Sequence, residues 1–112
     1  IGLRAGSRVD QMSLTLANGT TLTHGGTGGT ASSLTLGSGE YVTSAQLCQG
    51  VKDGNTRIFS AKFTTSSGRT LAGGTTTSDC VTRTAPTGWQ IAGFHGRTGD
   101  EVDKIGFIYT QR

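Results

Sequence analysis

The chain has 112 residues, a formal net charge of +3, 15% charged residues and 6% aromatic residues. This length allows one domain with one core, and the low charge excludes the composition of a disordered chain. The ten Lys and Arg residues are scattered without a run, and no aromatic-rich strand accompanies them, so no nucleic-acid partner is expected.

Short apolar alternations separated by turn residues predict an all-β domain of about ten strands. No stretch shows a helical apolar period of useful length, and the pattern leaves a prism, a sandwich and a barrel open. The strands are predicted at residues 1–3, 12–16, 20–23, 33–36, 41–47, 59–63, 70–71, 78–84, 89–94 and 105–109. Turns are predicted at Asn18-Gly19, Asp53-Gly54, Ser67-Gly68 and Pro86–Gly88.

Two segments are dense in glycine, HGGTGGT at 24–30 and Ala72-Gly73-Gly74. Glycine allows a backbone to lie where any Cβ would collide. Each segment is therefore either a flexible turn or a place where a ligand lies directly on main-chain atoms.

A motif of the form R-x-G-x-x-V-D occurs twice, at 4–10 and at 97–103, and an alternating strand follows each copy. The glycine-hinged loop delivers one carboxylate, Asp10 or Asp103, at the start of a strand. Taken alone, such an aspartate is typical of an Asx turn, but the repetition indicates a duplicated architecture.

Cys48 and Cys80 are the only cysteines, and neither lies in a CxxC pair or beside a cluster of metal ligands. A single disulfide, which would imply a secreted or periplasmic setting, is the leading interpretation, and two buried free cysteines are the alternative. No metal and no cofactor are predicted. Asp100 and Glu101 suggest a calcium site or a glycosidase pair, but adjacent carboxylates on one loop lack the opposed geometry that hydrolysis requires.

These residues resemble the jacalin-related lectins of the mannose-specific type over nearly the whole chain. The resemblance is carried by GSRVD at 6–10, HGGTGGT at 24–30, the run from Leu36 to Tyr41, the run from Phe63 to Gly68, and IAGFHGRTGDEVDKIGF at 91–107. It implies a β-prism of three Greek-key sheets with pseudo-threefold symmetry. The chain begins too late to contain the family's first glycine loop, so one outer strand is expected to be missing. The chain is also similar to β-prism modules of secreted bacterial cytolysins and biofilm adhesins.

The resemblance implies a sugar site in two parts, an aspartate loop and a facing glycine loop. Asp10 would accept hydrogen bonds from the sugar, the backbone of Ser7 and Arg8 in the Gly6 loop would donate, and Gly28 or Gly29 would donate from the facing side. A second sugar site would use Gly99, Asp100, Glu101 and Asp103, but its facing glycine loop is not in this chain. The Asp10 site is therefore ranked first.

We accordingly expect residues 1–112 to form a single non-catalytic lectin domain, a module of a larger secreted protein. It would recognise mannose-type residues in glycans or glycoproteins and target that protein to a cell surface or matrix, with no membrane insertion by this domain. The alternatives are a structural or protein-interaction β-prism with vestigial sugar loops, and a fragment of a toxin or protease whose activity lies elsewhere.

Overall fold

The fold is seen in a computed structural model, which describes residues 1–15, 21–26, 28–98 and 102–111. For residues 22, 24, 55, 95–98 and 102–105 the description covers the backbone and not the side chain. The predicted turn at Asn18-Gly19 lies outside the described residues.

Ten β-strands and no helix are present in these ranges, as the sequence predicts. The strands are β1 (Gly2–Ala5), β2 (Val9–Thr15), β3 (Thr21–Gly25), β4 (Thr30–Ser33), β5 (Val42–Lys52), β6 (Asn55–Thr65), β7 (Thr70–Gly74), β8 (Asp79–Thr84), β9 (Trp89–Thr98) and β10 (Val102–Gln111). None of the described residues forms a helix capable of crossing a membrane.

The strands form three antiparallel sheets. The first sheet has the order β3-β2-β1-β4, the second β7-β6-β5-β8, and the third consists of β10 and β9. The order of the first two sheets is that of a Greek key, in which the fourth strand returns beside the first. The fold class predicted from the sequence is confirmed, but in the described part of the chain the third sheet has two strands fewer than each of the others, rather than one.

Side chains from all three sheets meet in one hydrophobic core. Val9 and Met12 of the first sheet are fully buried, and Phe63 of the second sheet packs edge-on against Phe107 of the third, with ring centroids 6.2 Å apart. The remaining buried core members are Leu3, Leu14, Val42, Ala45, Leu47, Ile58, Ala61, Leu71, Ile91 and Phe94. Alternation, interrupted at the β-bulges of the three sheets, directs these side chains inward.

The first two sheets repeat one another in backbone register. Arg4 pairs with Gln11 just before a β-bulge, and Cys48 pairs with Ser60 just before the corresponding bulge. Beyond the bulge, Ala5 pairs with Val9 and with Thr30, as Gln49 pairs with Ile58 and with Asp79. The third sheet has the same irregularity between Val102 and Lys104, so the repeated motif corresponds to a repeated hairpin.

The disulfide predicted for Cys48 and Cys80 is present. It joins residues that lie directly opposite each other on the neighbouring strands β5 and β8, with Cα atoms 4.0 Å apart. Cys48 is fully buried, whereas Cys80 lies on an edge strand whose residues are all exposed. The covalent link therefore fastens an edge strand that contributes little to the core.

Glu40 connects the first two sheets at the end of the strands away from the glycine loops. Its carboxylate is ion-paired with Arg69, accepts the Thr65 hydroxyl at 2.6 Å and accepts the Gly37 N–H at 2.7 Å. Arg69 also donates to the carbonyl of Thr35 at 2.6 Å. The pKa of Glu40 is held well below its ordinary value, chiefly by the hydrogen bond from Arg69 and next by the one from the Gly37 backbone.

Two sequence predictions are wrong, the limits of one strand and the position of one glycine loop. The alternation at 33–36 predicts a strand there, but β4 occupies Thr30–Ser33, while Leu34 and Leu36 pack against the core from non-strand backbone. The segment Ala72–Gly74 is not a glycine loop but the end of strand β7. Its loop begins after Gly74, where a positive φ of 89° turns the chain.

Candidate functional site

The aspartate loop of the first sheet joins β1 to β2. Gly6 and Ser7 are exposed at its tip, and the Gly6 N–H donates to the carbonyl of Arg8 at 3.1 Å, which closes a tight turn. Val9 is fully buried, so it fixes the start of β2 in the core. Asp10 is the extra residue of the β-bulge, since Gln11 pairs with Arg4 and Val9 with Ala5. The bulge interrupts the alternation that buries Met12 and Leu14, and Asp10 is partly exposed.

The glycine loop at 25–29 lies directly against this aspartate. A Cβ built on Gly28 would lie 2.9 Å from Oδ1 of Asp10, and one built on Gly29 would lie 2.5 Å from Oδ2. Gly29 also has a φ of 69°, a conformation that side chains other than glycine rarely adopt. Only glycine at both positions lets the main chain approach the carboxylate this closely.

Hydrogen bonds from both sides hold the glycine loop in place. The Gly26 N–H donates to the carbonyl of Asp10 at 2.8 Å, and Nε2 of Gln11 donates to the carbonyl of Gly26 at 2.9 Å. On the other side, Nε of Arg4 donates to the carbonyl of Gly28 at 3.1 Å. The loop is thus anchored to both strands that flank the aspartate loop.

Arg4 also orients the main chain of the glycine loop. Its Nη2 donates to the carbonyl of Gly29 at 3.3 Å, in addition to the bond to Gly28. In a trans peptide the C=O and the following N–H point in opposite directions. Because the Gly28 carbonyl is directed towards Arg4, the Gly29 N–H of the same peptide points away from Arg4.

Sequence reasoning missed Arg4 and Gln11 as supports of the site. Arg4 was visible as a member of the repeated motif, since it matches Arg97, but its partners lie 24 and 25 residues away and no local pattern indicates them. Gln11 follows Asp10 directly, and its role depends on the pairing of β2 with β3.

The predicted residues of the first site are brought together. Gly6 lies beside Gly29, since a Cβ on Gly6 would be 3.9 Å from the Cα of Gly29, and Asp10 lies against Gly28 and Gly29. Ser7 and Arg8 occupy the loop between Gly6 and the start of β2. The arrangement puts a carboxylate acceptor next to exposed main chain, which suits a ligand that both donates and accepts hydrogen bonds.

The predicted second site falls mostly outside the described residues. Gly99, Asp100 and Glu101 are not among them, and of Asp103 the structure describes only the backbone, which belongs to β10. Among the described residues, no group of three or more His, Cys, Asp or Glu side chains could hold a metal ion.

The second sheet contains a counterpart of the first site without its chemistry. Gly74 stands where Gly25 stands, and the Thr75 N–H donates to the carbonyl of Phe59 at 2.8 Å, as Gly26 donates to Asp10. Phe59 therefore occupies the position of Asp10. The intervening loop has the same length, but its residues are Thr75, Thr76, Thr77 and Ser78.

Comparison with known proteins identifies the family of the chain. Residues 1–108 match the family model of the jacalin-like lectin domain. The chain is 33% identical to horcolin of Hordeum vulgare in an alignment that covers 95% of this chain and 77% of that protein.

Solved structures give the same result. The Calsepa lectin in complex with biantennary N-glycan superposes with a TM-score of 0.81 at 26% identity, covering 99% of this chain and 80% of that one. The mannose-binding jacalin-related lectin AcmJRL from Ananas comosus shares the fold, with a TM-score of 0.83 at 22% identity over 99% of this chain and 80% of that one.

Proposed function

The chain belongs to the jacalin-like lectin family, and from that premise we propose that its Asp10 site binds mannose-type residues of glycans. Lectins of this family bind carbohydrate without catalysis, so the chain is a carbohydrate-binding domain and not an enzyme. The observation that carries the proposal is the approach of Gly28 and Gly29 to the Asp10 carboxylate.

A hexose presents neighbouring hydroxyl groups that each donate and accept hydrogen bonds. A carboxylate has about four acceptor positions, so Asp10 can accept two sugar hydroxyls in addition to any protein donor. Charge-assisted bonds of this kind are roughly twice as strong as neutral ones. Backbone N–H groups of Ser7, Arg8 and Gly29 supply donors with no side-chain entropy to lose on binding.

The affinity for one sugar residue should be modest. Each neutral hydrogen bond contributes only about 0.5–1.5 kcal/mol after water is displaced. Four or five such bonds, less the cost of association, correspond to a Kd near 1 mM, or about −4 kcal/mol. Useful binding then comes from extended glycans or from several copies of the domain.

Mannose is preferred on the strength of the relatives. AcmJRL is a mannose-binding lectin, and the Calsepa structure holds a biantennary N-glycan, whose class of ligand we extend to this chain. The motif GSRVD with its facing HGGTGGT loop supports the same choice through the resemblance to the mannose-type branch.

The proposal is tested by titrating methyl α-mannoside into the protein and measuring the heat of binding. Asp10→Asn keeps the size of the side chain but removes the charge, so we expect affinity to fall at least about tenfold, the loss of one charge-assisted interaction. Asp79→Asn, at the corresponding loop of the second sheet, is the matched control. Its amide oxygen can still accept the bond that Gln49 donates to Asp79 at 2.8 Å, so both fold and affinity should be unchanged. Equal affinity in the wild-type and Asp10→Asn proteins would contradict the proposal.

The rank of the two motif copies has a separate test. Asp103→Asn should leave most of the mannoside affinity in place, because the Asp10 site has both of its loops in this chain. If Asp103→Asn abolished binding while Asp10→Asn did not, the order of the two sites would be reversed.

We also infer that the domain acts outside the cell, as the part of a larger secreted protein that attaches it to glycan-bearing surfaces. The Cys48–Cys80 disulfide supports this setting, since disulfides persist in oxidising compartments. The similarity of the chain to β-prism modules of secreted bacterial cytolysins and biofilm adhesins is a further part of this proposal. Fluorescently labelled protein should bind mannosylated surfaces and be displaced by free methyl α-mannoside. Labelled protein that stays on the surface in excess free mannoside would refute glycan-dependent attachment.

A further inference from the structure

Arg4 lies beside the glycine loop and is not a member of the hydrophobic core. It pairs with Gln11 of β2 and with Ala31 of β4, and its side chain borders an open groove of about 260 Å³. The guanidinium donates to two consecutive carbonyls, that of Gly28 at 3.1 Å and that of Gly29 at 3.3 Å. Shortening Arg4 would therefore remove these two bonds without leaving a cavity in the core.

An arginine accompanies the aspartate in the repeated hairpins. In the third sheet the register position of Arg4 is occupied by Arg97, just before the bulge whose extra residue is Asp103. In the second sheet it is occupied by Cys48, and the extra residue of that bulge is Phe59. The sulfur of Cys48 lies in the disulfide, so it cannot donate to a facing loop. An arginine at this position therefore occurs in the two hairpins that carry a bulge aspartate and not in the hairpin that lacks one.

The bond to the Gly28 carbonyl acts on the N–H of the next residue. That carbonyl and the Gly29 N–H belong to one planar peptide group and point in opposite directions. A charged donor at the carbonyl polarises the peptide group, and hydrogen bonds linked in this way strengthen one another. The Gly29 N–H is therefore a stronger donor than it would be without Arg4. A Cβ on Gly29 would lie 2.5 Å from Oδ2 of Asp10, so this donor adjoins the carboxylate.

An arginine suits this role better than a lysine. Its Nε and Nη2 atoms belong to one rigid plane and can engage two fixed acceptors together, whereas an ammonium group is a point donor on a flexible stem. Glycine has the largest backbone freedom, so a glycine loop that is not already held loses the most conformational entropy when a ligand orders it. A loop that is fixed before the sugar arrives avoids that loss on binding.

We propose that Arg4 is a positioning residue for sugar binding at the Asp10 site. It does not touch the sugar, but it fixes and polarises the peptide group that carries the Gly29 N–H, so that this donor is in place when a mannose-type residue binds. The inference rests on the proposed function of the Asp10 site. It adds that the arginine of the repeated motif, and not only the glycine and the aspartate, determines how tightly the site binds.

The first test measures the binding of methyl α-mannoside to two variants of Arg4 by titration calorimetry. Arg4→Met keeps the length of the side chain but removes its charge and its donors, so affinity should fall about fivefold, the contribution of one hydrogen bond. Arg4→Lys keeps the charge but not the planar fork, so its affinity should lie between those of Arg4→Met and the wild type. Arg83→Met removes one positive charge from the exposed strand β8 and is the matched control, with wild-type affinity.

A second measurement separates positioning from a general loss of stability. The chemical shift of the Gly29 amide nitrogen responds to the hydrogen bond at the Gly28 carbonyl, because both belong to one peptide group. In the sugar-free protein this shift should move in Arg4→Met, by less in Arg4→Lys, and not in Arg83→Met. A variant that is merely less stable would keep the wild-type shift in its folded form.

Wild-type affinity in Arg4→Met would overturn the inference, even if the Gly29 shift moved. Reduced affinity with an unmoved Gly29 shift would also overturn it, because Arg4 would then act by another route. Equal affinities of Arg4→Met and Arg4→Lys would overturn it as well, because the charge would then have no effect. Wild-type protein that fails to bind methyl α-mannoside would instead refute the proposed function, and the Gly29 shift would still show whether Arg4 holds the loop.

Discussion

The first two sheets share their backbone register but carry different residues at the bulge and in the loop that faces it. In the first sheet the extra residue of the bulge is Asp10, and the facing loop is GGTGG at 25–29. In the second sheet that position carries Phe59, and the facing loop continues from Gly74 with threonines and Ser78. The proposed sugar site therefore differs from its counterpart in the second sheet by two local features, a carboxylate and a glycine-rich facing loop.

A hydroxyl of the second loop fastens that loop to strand β5 and to the start of β8. The hydroxyl of Thr77 donates to the carbonyl of Gln49 at 2.7 Å and accepts the N–H of Asp79 at 3.3 Å. In the first sheet the equivalent of Thr77 is Gly28, whose carbonyl accepts from Arg4. The second loop is held by its own hydroxyls, whereas the first is held from outside and presents its main chain to Asp10.

The largest effect on mannoside affinity is expected when the carboxylate is moved from the first sheet to the second. The double variant Asp10→Asn/Phe59→Asp should bind methyl α-mannoside no better than Asp10→Asn alone, at least about tenfold more weakly than wild type. The facing loop of the second sheet lacks the glycines that would let its main chain approach the introduced carboxylate. Titration calorimetry measures this, and recovered affinity would show that the carboxylate alone makes the site.

Removal of the disulfide should have the largest effect on stability, and it should leave mannoside binding unchanged. The pair Cys48 and Cys80 occupies the register positions that Arg4 and Ala31 occupy in the first sheet. Replacing both cysteines by alanine should lower the free energy of unfolding by about 3–4 kcal/mol, as expected for a bridge between residues 32 positions apart. Urea denaturation measures the loss. Mannoside affinity of the folded variant should be unchanged. A parallel drop in affinity would contradict the expectation that the disulfide of the second sheet does not affect the sugar site of the first.

Gly29→Ala should produce a smaller loss of stability together with weaker binding. Its Cβ would lie 2.5 Å from Oδ2 of Asp10 and 2.6 Å from the carbonyl carbon of Ala5, at a φ of 69°. Gly39→Ala is the control, since Gly39 has a φ of 74° and no neighbouring atom within 4 Å of its Cβ. Thermal denaturation should show a cost of about 1–2 kcal/mol for the positive φ in both variants, and a further cost in Gly29→Ala alone because its Cβ would collide with the backbone of Ala5. Only Gly29→Ala should weaken mannoside binding, and equal affinities would count against the close approach of its loop.

The smallest effect concerns Glu40, far from either loop. Because the pKa of Glu40 is lowered in the folded protein, its stabilising effect is complete above the ordinary carboxyl pKa of about 4.3 and is lost as the pH falls. Glu40→Gln should therefore lower the Tm at pH 7 by more than it does at pH 3. A difference in Tm that is constant between these pH values would contradict the assigned ionisation, and mannoside affinity at pH 7 should not change.

Features written in a few consecutive residues could be predicted from the sequence. The glycine segment at 24–30 and the motif ending at Asp10 mark both halves of the site, because close backbone approach requires glycine and a loop must deliver the carboxylate. The ten strands follow from short alternations, and the disulfide follows from two cysteines without metal-binding neighbours. Each of these signals is local.

The remaining features depend on register between distant strands. Arg4 supports a loop 24 residues away, and Phe59 corresponds to Asp10 only after hairpins of unequal length are paired. The alternation of Leu34 and Leu36 predicts a strand, but these partly buried leucines pack against the core from the segment that follows β4. Alternation of apolar residues indicates which side chains are buried, and a buried side chain need not belong to a hydrogen-bonded strand.

The most direct measurement of the central claim is a map of backbone amide chemical shifts during titration with methyl α-mannoside. The largest changes should fall on residues 6–10 and 25–29, with little change at 74–79 in the matching loop of the second sheet. Saturating mannoside that leaves residues 6–10 and 25–29 unmoved, or that moves residues 74–79 instead, would contradict a sugar site made by Asp10 and its facing glycines.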